Sequence, residues 1–166
     1  MTKTYKITFL SITTVFALAL SYLEMLLPPI FSSIPGIKVG LPNIIIIFLL
    51  YKFSLKDAAI VSLMRIVLSS LLFGNVMVMF YSIFGAVLSL ALMTLFKKIN
   101  IFSILGVSII GGISHNLGQI IAAIIVTNTL KIGYYMIVLT ITGTAAGVIV
   151  GIAGALLLKY SDKVKF

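Results

Sequence analysis

The 166-residue chain has no cysteine and no tryptophan, one histidine, four prolines and three acidic residues, Glu24, Asp57 and Asp162. Each shortage excludes a class of chemistry. Without cysteine there is no disulfide framework and no thiolate metal site, and the redox compartment stays unread. A lone histidine leaves zinc without a ligand set. Three scattered acids make no aspartate-rich magnesium site. No GxxxxGK loop is present, so the chain does not itself hydrolyse nucleotide. Ser114 lies beside His115, but neighbours on a helix project about 100° apart, and no acid or nucleophile-elbow motif accompanies them. No catalytic residue, metal or cofactor is expected, and the chain is read as non-enzymatic.

What is abundant is apolar surface. Hydrophobic residues make up 61% of the chain and charged residues 9%, with a mean hydropathy of +1.30. A soluble domain of this length cannot hide that much apolar surface, so the expected solvent is lipid. The whole length, 1–166, is read as a single integral membrane domain. The net charge of +9 does not point to nucleic acid, because the basic residues stand singly or in pairs between apolar runs, which is how a membrane protein sets its orientation.

Six apolar segments are predicted as transmembrane helices: 7–27, 40–53, 55–73, 76–96, 101–126 and 134–160. The first is too long for a secretory signal, and five more follow it. Pro28 and Pro29 close it; Gly74-Asn75, 97–100 and 127–133 are further breaks. The second is short, so it either sits inside the bundle or tilts. With the N-terminus in the cytoplasm, alternation places Lys3, Lys6, Lys52, Lys56, Lys97, Lys98, Lys159, Lys163 and Lys165 inside. Only Lys38 and Lys131 then lie outside. Nine lysines against two is the asymmetry of positive-inside insertion. It predicts a six-helix, all-α bundle in the cell membrane with both termini cytoplasmic.

Small residues at four-residue spacing let helices approach closely in lipid. One stripe is Gly143, Gly147 and Gly151, read as packing within the chain. Another, Thr13, Ala17 and Ser21, is open between internal packing and a partner subunit. Ionisable groups inside membrane segments are costly, about 2.5–3.5 kcal/mol each on insertion scales. There are three: Glu24, Arg65 and His115. Arg65 lies about 16 Å above the inner end of its segment and His115 about 21 Å, both beyond the midplane. Gln119 is one turn past His115, Asn116 is adjacent, and Asn43 and Tyr81 fall in the same outer halves. Two readings stand side by side. In one, Arg65 and Glu24 satisfy each other and His115 is a packed histidine. In the other, these residues form an outward-opening pocket for a small molecule.

Several stretches resemble a known family: Gly40-Leu41-Pro42-Asn43, Arg65 with residues 69–74, the run 81–86, and above all Gly112-Ile113-Ser114-His115-Asn116-Leu117-Gly118-Gln119. From about residue 10 to residue 158 the chain resembles the Gx transporter family, whose members are often labelled heptaprenyl diphosphate synthase component I. That family is similar to the S components of energy-coupling factor transporters. The resemblance implies a six-helix substrate-binding subunit that captures a small extracellular molecule. Its partners would be a transmembrane coupling subunit and ATPase subunits. Thr13, Ala17 and Ser21 would be the docking face on the first helix. Arg65 and His115 would hold an anionic or polar group, Asn43, Asn116, Gln119 and Tyr81 would add hydrogen bonds, and Glu24 would take a cationic part or lock Arg65. A vitamin-, flavin- or isoprenoid-like ligand is implied. The alternative is an accessory membrane subunit of polyprenyl diphosphate synthesis, since the chain lacks the carboxylates for a catalytic role. A third reading, a stand-alone carrier, is disfavoured by the lack of a visible inverted repeat.

Overall fold

The structure, a computed structural model, describes residues 2–26 and 39–161. They form α1 (Lys3–Leu26), α2 (Asn43–Lys52), α3 (Leu55–Phe73), α4 (Val76–Ile99), α5 (Ile104–Thr127) and α6 (Met136–Ser161), with a 3-10 helix at Leu130–Tyr135 before α6. No strand occurs among the described residues. Four helical stretches are long and apolar enough to cross a membrane: α1, α4, α5 and Leu130–Ser161. The prolines at 28 and 29, Lys38, Asp162, Lys163 and Lys165 lie outside the described residues.

Capping explains where the helices differ from the predicted segments. The second starts three residues later than expected, at Asn43. Gly40 is in the left-handed region at φ 77°, and Pro42, which has no N–H to leave unpaired, precedes the first turn. α4 runs on to Ile99 and stops where Asn100 turns left-handed at φ 60°. α5 begins after Ser103, whose hydroxyl accepts from Gly106 N–H at 3.3 Å. α1 begins earlier than expected, because a helix continues past the apolar run when its polar first turn can stay in water.

α2 is the centre of the bundle. Its consecutive residues Ile46, Ile47, Phe48, Leu49 and Leu50 are all buried, so this helix has no lipid-facing side. It packs against α1, α3 and α6. Of the two placements open from sequence, the interior one is observed. Phe9 reaches in from α1 to stack near Phe53, ring centroids 4.9 Å apart. The outer helices show the reverse pattern: Phe16 on α1, Leu71 on α3, Val87 on α4 and Ile141 on α6 are all exposed. Exposed apolar surface on this scale is a membrane signature.

Lysines gather at one end. Lys6 pairs with the buried Asp57 at 2.8 Å, tying the start of α1 to the start of α3. Lys97 donates to the Leu50 carbonyl at 2.6 Å and lies 4.9 Å from the Tyr51 ring centroid, tying the end of α4 to the end of α2. At the opposite end lie the α3–α4 turn at 74–75 and the entry to α2.

Glycine sets the spacing of α4, α5 and α6. A Cβ on Gly118 would lie 2.6 Å from the Phe84 carbonyl oxygen, and one on Gly147 would lie 2.5 Å from Ile109 Cα. These are backbone-to-backbone approaches that only glycine permits. Gly143 and Gly151 face α5 in the same way, so the α6 stripe serves packing within the chain, as its spacing implied.

Candidate substrate-binding cavity

A cavity of about 290 Å³ lies between all six helices. At the end away from the lysines it is bordered by Ser21 and Glu24 of α1, Gly40 and Asn43 at the start of α2, and Arg65, Ser69 and Ser70 of α3. Gly74 and Asn75 of the turn, Ser82 of α4, and His115, Asn116 and Gln119 of α5 complete that polar end. Asn75 is held by capping α4, its side chain accepting from Val78 N–H at 2.8 Å. The cavity then descends between Ile47, Met93, Gly111, Ala146, Gly147 and Val150.

Arg65 dominates the polar end. Its Nη2 donates to Asn43 Oδ1 at a long 3.4 Å. Its Nε is buried and has no hydrogen-bond partner among the described residues. An unsatisfied buried donor on a charged group is unfavourable by about 1–3 kcal/mol or more. Glu24 exerts a coulombic attraction on Arg65, while its Oε1 accepts from the Gly40 backbone N–H. It therefore clamps the end of α1 to the entry of α2.

The α5 side chains are set by glycines on the neighbouring helices. A Cβ on Gly85 would come within 2.9 Å of His115 Cε1, so a bare backbone at 85 makes room for the imidazole. His115 Nε2 and Gln119 Nε2 lie 3.3 Å apart, the one-turn pairing expected on a helix. Asn116 donates to the Leu139 carbonyl of α6 at 2.8 Å; Gly143 leaves room for it, since a Cβ there would sit 2.9 Å from Asn116 Nδ2.

Of the residues singled out from sequence, the fold brings Glu24, Asn43, Arg65, His115, Asn116 and Gln119 to one cavity. Tyr81 is not there. α4 turns Val78, Ser82, Ser89 and Met93 toward the cavity, and Tyr81, one residue off that stripe, lies edge-on to Phe80 with centroids 6.5 Å apart. The stripe expected as a docking face lies largely inside this chain's own bundle. Ala17 is wholly buried and Thr13 is buried with it, because their small side chains let α1 pack on its own bundle. Ser21 lines the cavity and donates to the Ala17 carbonyl at 2.9 Å. The face that α1 leaves open carries Ile12, Val15 and Phe16 instead. Sequence reading met Ser69, Ser70 and Ser82 only within the family-like stretches and passed over Ser89, assigning none of these cavity serines to the site; hydroxyls interrupting apolar runs were the available signal. Ser114 is spent on its own helix, donating to Ile110 O at 2.6 Å. Among the described residues no three His, Asp or Glu side chains come together as a metal-binding group.

Fold and cavity define an all-α membrane protein that encloses a polar, arginine-bearing cavity among its helices. The chain belongs to the family described as heptaprenyl diphosphate synthase component I, whose model matches residues 13–157. That span contains every residue bordering the cavity. No curated protein and no solved structure matches the chain.

Proposed function

We propose that this protein is a substrate-binding membrane subunit, similar to the S components of energy-coupling factor transporters. It takes a small anionic or polar molecule into the cavity from the outside. The observation that carries the reading is Arg65, whose Nε is buried and without a hydrogen-bond partner among the described residues, gathered with Asn43, His115 and Gln119 in one cavity. Intramembrane arginines are rare, and they mark substrate or ion paths. In this reading all six α-helices cross or fill the membrane, with α2 as the core. The lysine end faces the cytoplasm, in line with the bias of nine lysines to two. The polar end of the cavity then opens outward. A coupling subunit and ATPases would supply the energy, and docking would use a face other than the buried Thr13-Ala17 stripe.

A second reading has its own support. The family's description names a component of heptaprenyl diphosphate synthesis, and a diphosphate is an anion that suits Arg65. The chain would then be an accessory membrane subunit that binds such a headgroup beside a soluble synthase. Native mass spectrometry of the protein released from nanodiscs, with extraction of bound small molecules, tests both. A small ligand bound by the wild type and absent from Arg65→Ala supports the cavity reading. Co-purification with a soluble prenyl synthase, with a prenyl diphosphate as the bound molecule, would replace the first reading with the second.

A further inference from the structure

The cavity is not uniform along its length. On α5 its border runs from Gln119 to Ser108, about 16 Å at the helical rise. On α4 it runs from Val78 to Met93, about 22 Å. A volume of about 290 Å³ spread over that length is a narrow slot, not a round chamber. Its two ends differ in chemistry. Arg65, Asn43, His115 and Gln119 lie at one end. The lower limb is bounded by Ile47, Met93, Ala146 and Val150, together with bare glycine backbone at 111 and 147. Two hydroxyls enter this limb: Ser89 from α4, already spent on the Gly111 carbonyl at 2.9 Å, and Ser108 from α5 at its foot. Between the polar end and Ser108 the limb presents almost no free hydrogen-bonding capacity to a ligand.

Resting on the proposal that the cavity binds substrate, we infer that its ligand is amphipathic. An oxyanion head, carboxylate or phosphate, accepts from the Arg65 guanidinium beside Asn43. A slim apolar tail runs down the slot between α2, α4, α5 and α6. The two halves need each other. Water filling the lower limb would meet apolar walls and few partners, whereas a tail there removes apolar surface from water. A head without a tail satisfies Arg65 but leaves the limb unfilled.

A homologous series tests this directly. Binding of ethyl, butyl, hexyl, octyl and decyl phosphate, and of the matching carboxylates, is measured on the full chain in nanodiscs. Affinity should rise about fourfold per added methylene as far as octyl and then level off, because the limb from His115 down to Ser108 is about 10 Å long. The better of the two series identifies the head. Ala146→Leu, which narrows the limb, should lower the octyl-to-ethyl affinity ratio at least tenfold. Met93→Ala, which lengthens it, should move the plateau toward decyl. Partition into the lipid would respond to neither substitution. Affinity that depends on Arg65 but is flat along the series overturns the amphipathic ligand and keeps the cavity reading. If neither phosphates nor carboxylates bind in an Arg65-dependent manner, both fall.

Discussion

At residue 65 a partly buried arginine keeps its buried Nε–H unpaired among the described residues, and a substitution there separates binding from stability. Hydrogen bonds to charged groups contribute about 1.5–3 kcal/mol, so Arg65→Ala should weaken ligand binding about ten- to a hundredfold. Its melting temperature should stay unchanged or rise, because an unsatisfied buried donor is removed. Arg65→Lys keeps the charge but loses the planar fork, and its affinity should fall between the two. Thermal shift and ligand titration on the same preparations decide this; a variant that loses stability and binding together would make Arg65 a packing residue. Gly85 gives a complementary case. Its Cβ would meet the His115 ring and carbonyl at 2.9 Å, so Gly85→Ala should push the imidazole from its seat. The destabilisation should be about 1–3 kcal/mol, with weaker binding although residue 85 does not border the cavity. Arg65 and His115 were legible from sequence because an ionisable group in an apolar run stands out. Gly85 was not singled out, because its role is to leave space.

Between elements, the glycine contacts of α5 carry a sharper contrast. A Cβ on Gly147 lies 2.5 Å from Ile109 Cα, whereas one on Gly133 meets nothing within 4 Å. Gly147→Ala should force α5 and α6 apart and lower stability by about 1–3 kcal/mol. Gly133→Ala should stay within about 0.5 kcal/mol of wild type. Thermal denaturation in detergent compares them, and equal effects would contradict the close approach of the two helices. α1 offers a similar pair. Ala17 is buried against α2 and α3 while Phe16 is exposed. Ala17→Trp should therefore damage the fold itself, and Phe16→Trp should leave it intact. The four-residue spacing of Thr13, Ala17 and Ser21 was visible in the sequence. Which neighbour it meets was not, since small residues serve internal and external packing equally.

For the whole molecule, the testable quantity is orientation. The native chain has no cysteine, so single-cysteine variants carry no background. In intact cells Lys131→Cys should react with a membrane-impermeant maleimide. Lys98→Cys should react only after permeabilisation, since it sits at the lysine-bearing end with the Lys6–Asp57 pair. The reverse pattern would invert the bundle and place the cavity mouth in the cytoplasm.

The sequence by itself determined the solvent, the helical class and the approximate segments. Hydropathy is a sum over neighbours in the chain, and the breaks at Gly74-Asn75 and Asn100 act locally. It also ranked Arg65, His115, Asn116, Gln119, Asn43 and Glu24 together, because polar groups in lipid need a reason wherever they lie. Only the tertiary structure decided that the short α2 is the core, that Ala17 faces inward, that Tyr81 misses the cavity and that the cavity has a polar head and an apolar limb. Those outcomes depend on the rotation of each helix about its axis. In an apolar solvent no amphipathic pattern records that rotation; the contacts between helices fix it.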